Sequence, residues 1–113
     1  MLGASRYRQI QLLLEKVVTE LKIAIVALEE NNIAKKCESI SKANDIVLYL
    51  RECLDFSADK TLATRLDAIY GHAIKLLFNA NAKNNADALA ESLTIMTNVN
   101  SWWNLVSVDC YFG

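Results

Sequence analysis

The chain has 113 residues, with 12 Lys and Arg against 13 Asp and Glu and a hydrophobic share of 53%. This length predicts one domain, residues 1–113, and the balanced charge excludes nucleic acid as the main partner. No apolar run reaches the ~20 residues of a membrane span, so no membrane insertion is expected. The chain's start lacks the layout of a signal peptide and its three cysteines lack CxxC spacing, which together favour the cytoplasm.

Helix is the only secondary structure that the pattern predicts. Proline is absent, only three glycines occur, and apolar residues recur at three-to-four spacing. Four amphipathic segments cover residues 6–30, 33–54, 60–83 and 86–106, and residues 107–113 form a frayed or tucked tail. Because short turns join long helices, neighbours should be antiparallel. The expected fold is all-α, an antiparallel up-down four-helix bundle.

The first half of the chain carries two predicted helices. Ser5 caps the first, since its hydroxyl can accept a free backbone N–H, and the pair Asn31-Asn32 forms the turn after it. Asn44 interrupts the second helix where a core residue is expected. The inward stripe of the first helix is Ile10, Leu14, Val17, Leu21, Ala24 and Leu28. The inward stripe of the second is Ile33, Cys37, Ile40, Val47, Leu50 and Leu54.

The second half of the chain carries the other two predicted helices. Ser57 or Asp59 caps the third helix, and Asn85 caps the fourth. The inward stripe of the third helix is Leu62, Leu66, Ile69, Ala73, Leu76 and Ala80. The fourth helix has two stripes, namely Leu89, Leu93, Met96 and Trp103 in one and Ile95, Val99, Trp102 and Val106 in the other.

No pattern in the chain predicts catalysis. His72 is the only histidine, and no nucleophile motif accompanies it. Glu-x-x-His pairs, phosphate-binding glycine loops and metal-ligand cysteine spacing are absent from the sequence, so no catalytic residue, cofactor or metal is expected. We therefore expect a protein that is not an enzyme.

The positive signal is the surface of the fourth predicted helix. Between Asn84 and Val108 the only charged residues are Asp87 and Glu91. A helix face made of small uncharged polar groups beside apolar ones is typical of a docking surface. The adjacent tryptophans Trp102 and Trp103 point about 100° apart on a helix. One is expected to line a groove for a partner helix, or else one fills the core and the other fills the gap to a neighbouring helix.

Several short sequence motifs occur along the chain in a recognisable order. They are Ala4-Ser5 before the first helix, Lys42-Ala43 in the second, Leu54-Asp55 at its end and Ala80-Asn81 in the third. Together with a tryptophan late in the fourth helix, this order resembles the FliS family, the cytoplasmic chaperones that hold flagellin subunits before export. Unlike the family pattern, the first helix has Leu14 in place of an aromatic residue and Lys16 in place of a glycine, so the chain is similar to a divergent member.

The resemblance implies a cytoplasmic export chaperone. It would bind the disordered C-terminal segment of flagellin, or of a related filament protein, prevent premature polymerisation and pass the client to the flagellar type III export apparatus. The alternative is a helical-bundle adaptor or structural protein that uses the same apolar surface to form a homodimer. A weak homodimer is also compatible with the chaperone.

The resemblance also implies the client-binding residues. Five of them should cluster along the second and third helices, and the two tryptophans lie on the fourth. The seven are Leu54, Leu66, Tyr70, Leu77, Asn81, Trp102 and Trp103. Ordinary core packing is the competing interpretation of the leucines and Tyr70. Asn81, a polar residue near a helix end, is expected to hydrogen-bond a client backbone or to cap a neighbouring turn. The apolar tail is expected to cover the groove when no client is present.

Overall fold

A computed structural model describes the backbone of residues 5–112 and the side chains of residues 5–105. It contains four helices: α1 (Arg6–Glu29), α2 (Ile33–Glu52), α3 (Lys60–Lys83) and α4 (Ala86–Phe112). Residues 5–112 contain no strand. The predicted all-α four-helix bundle is confirmed.

The helices begin at residues whose side chains accept a free backbone N–H. Ser5 Oγ accepts from the Arg8 N–H at 3.2 Å, and Asn85 Oδ1 accepts from the Ala88 N–H at 3.1 Å, as the sequence predicts. Between the two candidates for α3, the cap is Asp59, whose Oδ1 accepts from Leu62 at 3.0 Å. These side chains satisfy donors that have no partner inside the helix.

Two helices end two or more residues away from the predicted position, and α1 ends one residue early, at Glu29. α2 stops at Glu52 instead of residue 54, because Asp55 Oδ1 accepts from the backbone N–H groups of Ser57 and Ala58 and forms a turn there. α4 continues to Phe112 instead of ending at residue 106, since no glycine or proline interrupts residues 107–112. The predicted covering of a groove by the tail lies outside the described side chains.

The helices are arranged in a ring. Each packs against the next along the chain and α4 packs against α1, whereas within the described residues no Cα atom of α1 lies within 8 Å of one of α3, and none of α2 lies within 8 Å of one of α4. The short links require successive helices to run in opposite directions. The bundle measures 46 × 29 × 20 Å. Within it, α3 is adjacent to α2 and α4 and lies diagonally opposite α1.

One apolar cluster joins all four helices. Alanines at several crossing points let the helices approach closely, and leucine, valine and methionine side chains fill the space between them. The members with at most 2% exposure are Leu14, Val17, Leu21, Ala24, Ile40, Ala43, Val47, Leu50, Ala73, Leu77, Ala80, Leu89 and Met96.

The predicted stripes are right in part and rotated in part. In α2, Ile33 is exposed and the buried positions of the first turns are Lys36 and Ser39. In α3, Tyr70 and Leu77 are buried in place of Ile69 and Leu76. An apolar pattern fixes the inward face only to within about one residue, or ~100°, so neighbouring positions compete for the core.

One residue of α4 also differs from expectation. Ser92, predicted on the outer face, is fully buried, and its hydroxyl donates to the Leu89 carbonyl at 2.8 Å. A serine can lie in a helical core when its hydroxyl bonds a carbonyl of the preceding turn. The sequence pattern does not reveal such a local partner.

Replacing Asp59 tests the cap of α3. Asp59→Ala should lower the free energy of unfolding by about 1 kcal/mol, because the Leu62 N–H loses its acceptor. Ser57→Ala is the control and should change it by less than ~0.5 kcal/mol. Urea denaturation measures both, and equal effects would show that Asp59 contributes nothing as a cap.

The buried Tyr70 should make stability depend on alkaline pH. Burial, with a smaller contribution from Cys53, raises the pKa of Tyr70 to about 12. Between pH ~10 and ~12 the unfolded chain loses this proton while the folded protein keeps it, so the free energy of unfolding should fall by about 2–3 kcal/mol. Tyr70→Phe should flatten this decline in pH-dependent urea denaturation, whereas Tyr49→Phe, at an exposed position, should leave it; an identical decline in Tyr70→Phe contradicts the assignment.

Candidate functional site

Three clefts surround α3. The α2–α3 cleft has a volume of about 130 Å³ and lies over the second half of α3. Its wall combines apolar side chains with two asparagines, one on each helix. The lining residues are Ile40, Ser41, Asn44, Ile74, Leu77, Phe78 and Asn81.

The α3–α4 cleft is larger, at about 400 Å³, and lies over the first half of α3. Arg65 is the only charged residue in its wall. The lining residues are Leu62, Arg65, Leu66, Ile69, Ile95, Asn98, Val99 and Trp102. An apolar cleft with few charges is suited to the apolar face of a peptide helix.

The third cleft, the end pocket, has a volume of about 390 Å³ and lies where α2 ends and α3 begins. Its wall is built from α1, α2, α3, α4 and the link between α2 and α3. The lining residues are Arg6, Ile10, Leu50, Cys53, Leu54, Asp55, Leu66, Tyr70 and Trp103.

The seven predicted residues are distributed over these three clefts. The α2–α3 cleft holds Leu77 and Asn81, and the α3–α4 cleft holds Leu66 and Trp102. The end pocket holds Leu54, Tyr70 and Trp103, with Leu66 shared between it and the α3–α4 cleft. The five residues predicted on the second and third helices are thus divided among the clefts, since α3 separates the α2–α3 cleft from the α3–α4 cleft.

The adjacent tryptophans have different environments. Trp102 faces the α3–α4 cleft. Trp103 donates its indole N–H to the Tyr7 carbonyl at 3.1 Å, and its ring centroid lies 5.6 Å from that of Tyr7. Trp103 thus connects α4 to the first turn of α1, which is a structural contact in addition to its place in the end pocket.

Among the large apolar side chains of residues 5–105, the most exposed one lies at the α2–α3 cleft. Phe78 is 76% exposed although it is large and apolar. Ile69, at the α3–α4 cleft, and Leu48, one helical turn after Asn44 on α2, are exposed as well. Isolated exposed apolar residues are ordinary, but Phe78 and Ile69 both belong to α3 and each lines one of its clefts.

Two polar atoms in the α2–α3 cleft have no partner within the described residues. They are the side-chain oxygens of Asn44 and Asn81, both of which are buried. A buried acceptor without a donor costs free energy, which a donor from a ligand can offset. A peptide N–H or side-chain amide entering the cleft would supply such a donor.

Positive charge dominates α3. The helix contains four Lys and Arg and one acid, Asp67. Asp67 pairs with Arg51 of α2 at 2.6 Å, and this bond lowers the pKa of Asp67. The cationic side chains of α3 itself, Lys60, Arg65 and Lys75 among them, are exposed. The helix would therefore attract an acidic ligand over short distances.

The sequence did not single out Phe78, Ile69 or Arg65 as site residues. Phe78 and Arg65 stand outside the predicted inward stripe, and an exposed phenylalanine off the stripe is a usable signal. Ile69 was assigned to the core. Asn44 was noticed as an interruption, and the structure places it opposite Asn81 in one cleft.

The remaining chemistry of the described residues is sparse. His72 Nε2 lies 3.2 Å from a Glu91 carboxylate oxygen on the bundle surface. Within the described residues no group of three or more His, Cys, Asp or Glu side chains could hold a metal ion. Nor is any described helix long and apolar enough to cross a membrane.

Comparison with known proteins identifies the family. A family model described as "Flagellar protein FliS" matches residues 1–109. The chain is 36% identical to the flagellar secretion chaperone FliSB of Pseudomonas aeruginosa, covering 92% of this chain and 82% of that one. It is 30% identical to the flagellar secretion chaperone FliS of Salmonella typhimurium, covering 98% and 83%.

A third relative agrees. The flagellar secretion chaperone FliS of Vibrio cholerae is 29% identical over 92% of this chain and 76% of that one. These relatives are named as chaperones and not as enzymes. Because the family model spans nearly the whole chain, the chain belongs to the FliS family of flagellar secretion chaperones.

Proposed function

We propose that this protein is a cytoplasmic export chaperone for the disordered C-terminal segment of flagellin or of a related filament protein. Binding would keep that segment from polymerising before export and would deliver it to the flagellar export apparatus. A disordered client gains structure only on the chaperone, so release for export remains possible. Family membership and the clefts beside α3 support this proposal.

The observation that carries the proposal is the pair of clefts along α3. One lies on the α4 side over the first half of the helix and the other on the α2 side over the second half. Helical segments of a client could occupy them in succession, with a connecting stretch crossing α3. Amphipathic helices commonly bind proteins by laying apolar side chains into such grooves.

The expected affinity has identifiable sources. Covering an exposed side chain such as that of Phe78 contributes ~1.5–3 kcal/mol before ordering costs. Hydrogen bonds to Asn44 and Asn81 would add to it, and each is worth more when the acceptor is otherwise unsatisfied. The ordering of a disordered client opposes these gains by several kcal/mol.

The alternative, a homodimer formed through the same surface, predicts a different composition in solution. Light scattering after size exclusion should show a monomer or weak dimer that becomes a one-to-one complex when the flagellin C-terminal fragment is added. A tight dimer that the fragment leaves unchanged would contradict the chaperone proposal and favour the adaptor.

Phe78→Ala tests the α2–α3 cleft. The substitution should weaken binding of the flagellin C-terminal fragment by about 1.5–3 kcal/mol in calorimetry, because the client loses an apolar contact. Phe56→Ala is the matched control, since Phe56 is also exposed but lies outside the described clefts. Equal affinities for the two variants would place the client elsewhere.

Asn81→Ala tests the polar part of that cleft. It should weaken client binding by about 1–2 kcal/mol while the free protein melts at an almost unchanged temperature, because its side-chain oxygen has no partner within the described residues.

The control for Asn81→Ala is Asn79→Ala. Asn79 Oδ1 accepts from the Asn85 amide at 2.8 Å, so this variant should lose about 1 kcal/mol of stability and keep its affinity. If Asn81→Ala lowered stability and affinity equally, Asn81 would be a structural residue.

A further inference from the structure

A buried lysine near the start of α2 has no place in the proposed binding surface. Lys36 is 1% exposed and is among the most buried side chains in the protein. No carboxylate of the described residues pairs with it. A buried ammonium is costly unless hydrogen bonds or an opposing charge compensate it.

The compensation comes from the end of α3. Lys36 Nζ donates to the Asn81 carbonyl at 3.0 Å and also to Asn84 Oδ1. Asn84 terminates α3 in the left-handed conformation, with φ of 51°. The last carbonyls of a helix lack internal partners and carry the negative end of its dipole, so a cation is favourable there.

This contact fixes the position of a cleft residue. The carbonyl that accepts from Lys36 belongs to Asn81, a residue that lines the α2–α3 cleft and whose buried side-chain oxygen has no partner within the described residues. One turn after Lys36, Ile40 lines the same cleft. Lys36 therefore links α2 to the last turn of α3 directly beside the α2–α3 cleft.

Stability alone gives little reason for a lysine here. Replacing buried charged groups with apolar ones of similar volume is often neutral or stabilising. Lys35, the adjacent residue, shows the ordinary arrangement, since it is exposed and pairs with Glu38 at 3.0 Å. The contribution of Lys36 is accordingly the relative position of α2 and the end of α3, which its two hydrogen bonds fix.

We propose that Lys36 is a positioning residue that holds the last turn of α3 and thereby presents Asn81 to the client. The binding part of this inference rests on the proposed function, whereas the positioning part concerns the free protein alone. Two independent measurements follow from this division.

The first measurement needs no client. In Lys36→Met, the backbone N–H groups of Asn84 and Asn85, which bond the Ala80 carbonyl, should exchange with solvent about three- to tenfold faster by NMR, because the last turn of α3 opens more often. Lys35→Met, the matched control, should leave both exchange rates unchanged. Unchanged rates in Lys36→Met would overturn the positioning role.

The second measurement is a double-mutant cycle on binding of the flagellin C-terminal fragment. Lys36→Met should weaken binding about three- to tenfold in the otherwise unaltered protein and much less in the Asn81→Ala background, since it acts through Asn81. Equal weakening in both backgrounds would overturn the link to Asn81. If the wild-type protein does not bind the fragment, the proposed function fails while the exchange measurement still decides the positioning role.

A variant that fails to fold would not end the test. Lys36→Gln shortens the side chain by one bond, so its amide should not reach both the Asn81 carbonyl and Asn84 Oδ1, and the same two measurements apply to it. Faster exchange at Asn84 and Asn85 together with weaker fragment binding supports the proposal. Wild-type exchange and wild-type affinity in a folded Lys36→Gln variant would overturn it.

Discussion

The interaction on which the structure depends is the burial of four apolar helix faces in one shared core. Because the helices form a ring in which the backbones of diagonal members stay more than 8 Å apart, each helix has two adjacent helices and an open outer side. Alanines such as Ala43, Ala73 and Ala80 bring the backbones close at the core. Toward the surface the cylinders diverge, and the clefts on both sides of α3 follow from that geometry.

The helix between the two clefts, α3, is held in place at both of its ends. Asp59 caps its start, and the left-handed Asn84 with Lys36 closes its end. A preformed surface loses little conformational entropy on binding, so the ordering cost falls on the client. The exposed Phe78 adds an apolar surface beside the α2–α3 cleft.

Much of the fold follows from local chemistry. Helix type, most boundaries and the caps at Ser5 and Asn85 come from periodicity and turn residues, which depend on neighbours in sequence. The rotation of each helix about its axis does not follow from local chemistry, because it depends on partners from other helices. Lys36, for example, is buried where the end of α3 accepts its hydrogen bonds. For the same reason, the sequence named seven binding residues but not their separation into clefts, and it missed Phe78.

The most direct test of the central claim, that a client binds along α3, is an NMR titration of the labelled protein with the unlabelled flagellin C-terminal fragment. The amide and side-chain resonances that shift should be those of residues lining the α2–α3 and α3–α4 clefts. Resonances on the outer side of α1, opposite α3, should stay in place. Shifts concentrated on the outer side of α1, or absent at saturating fragment, would contradict it.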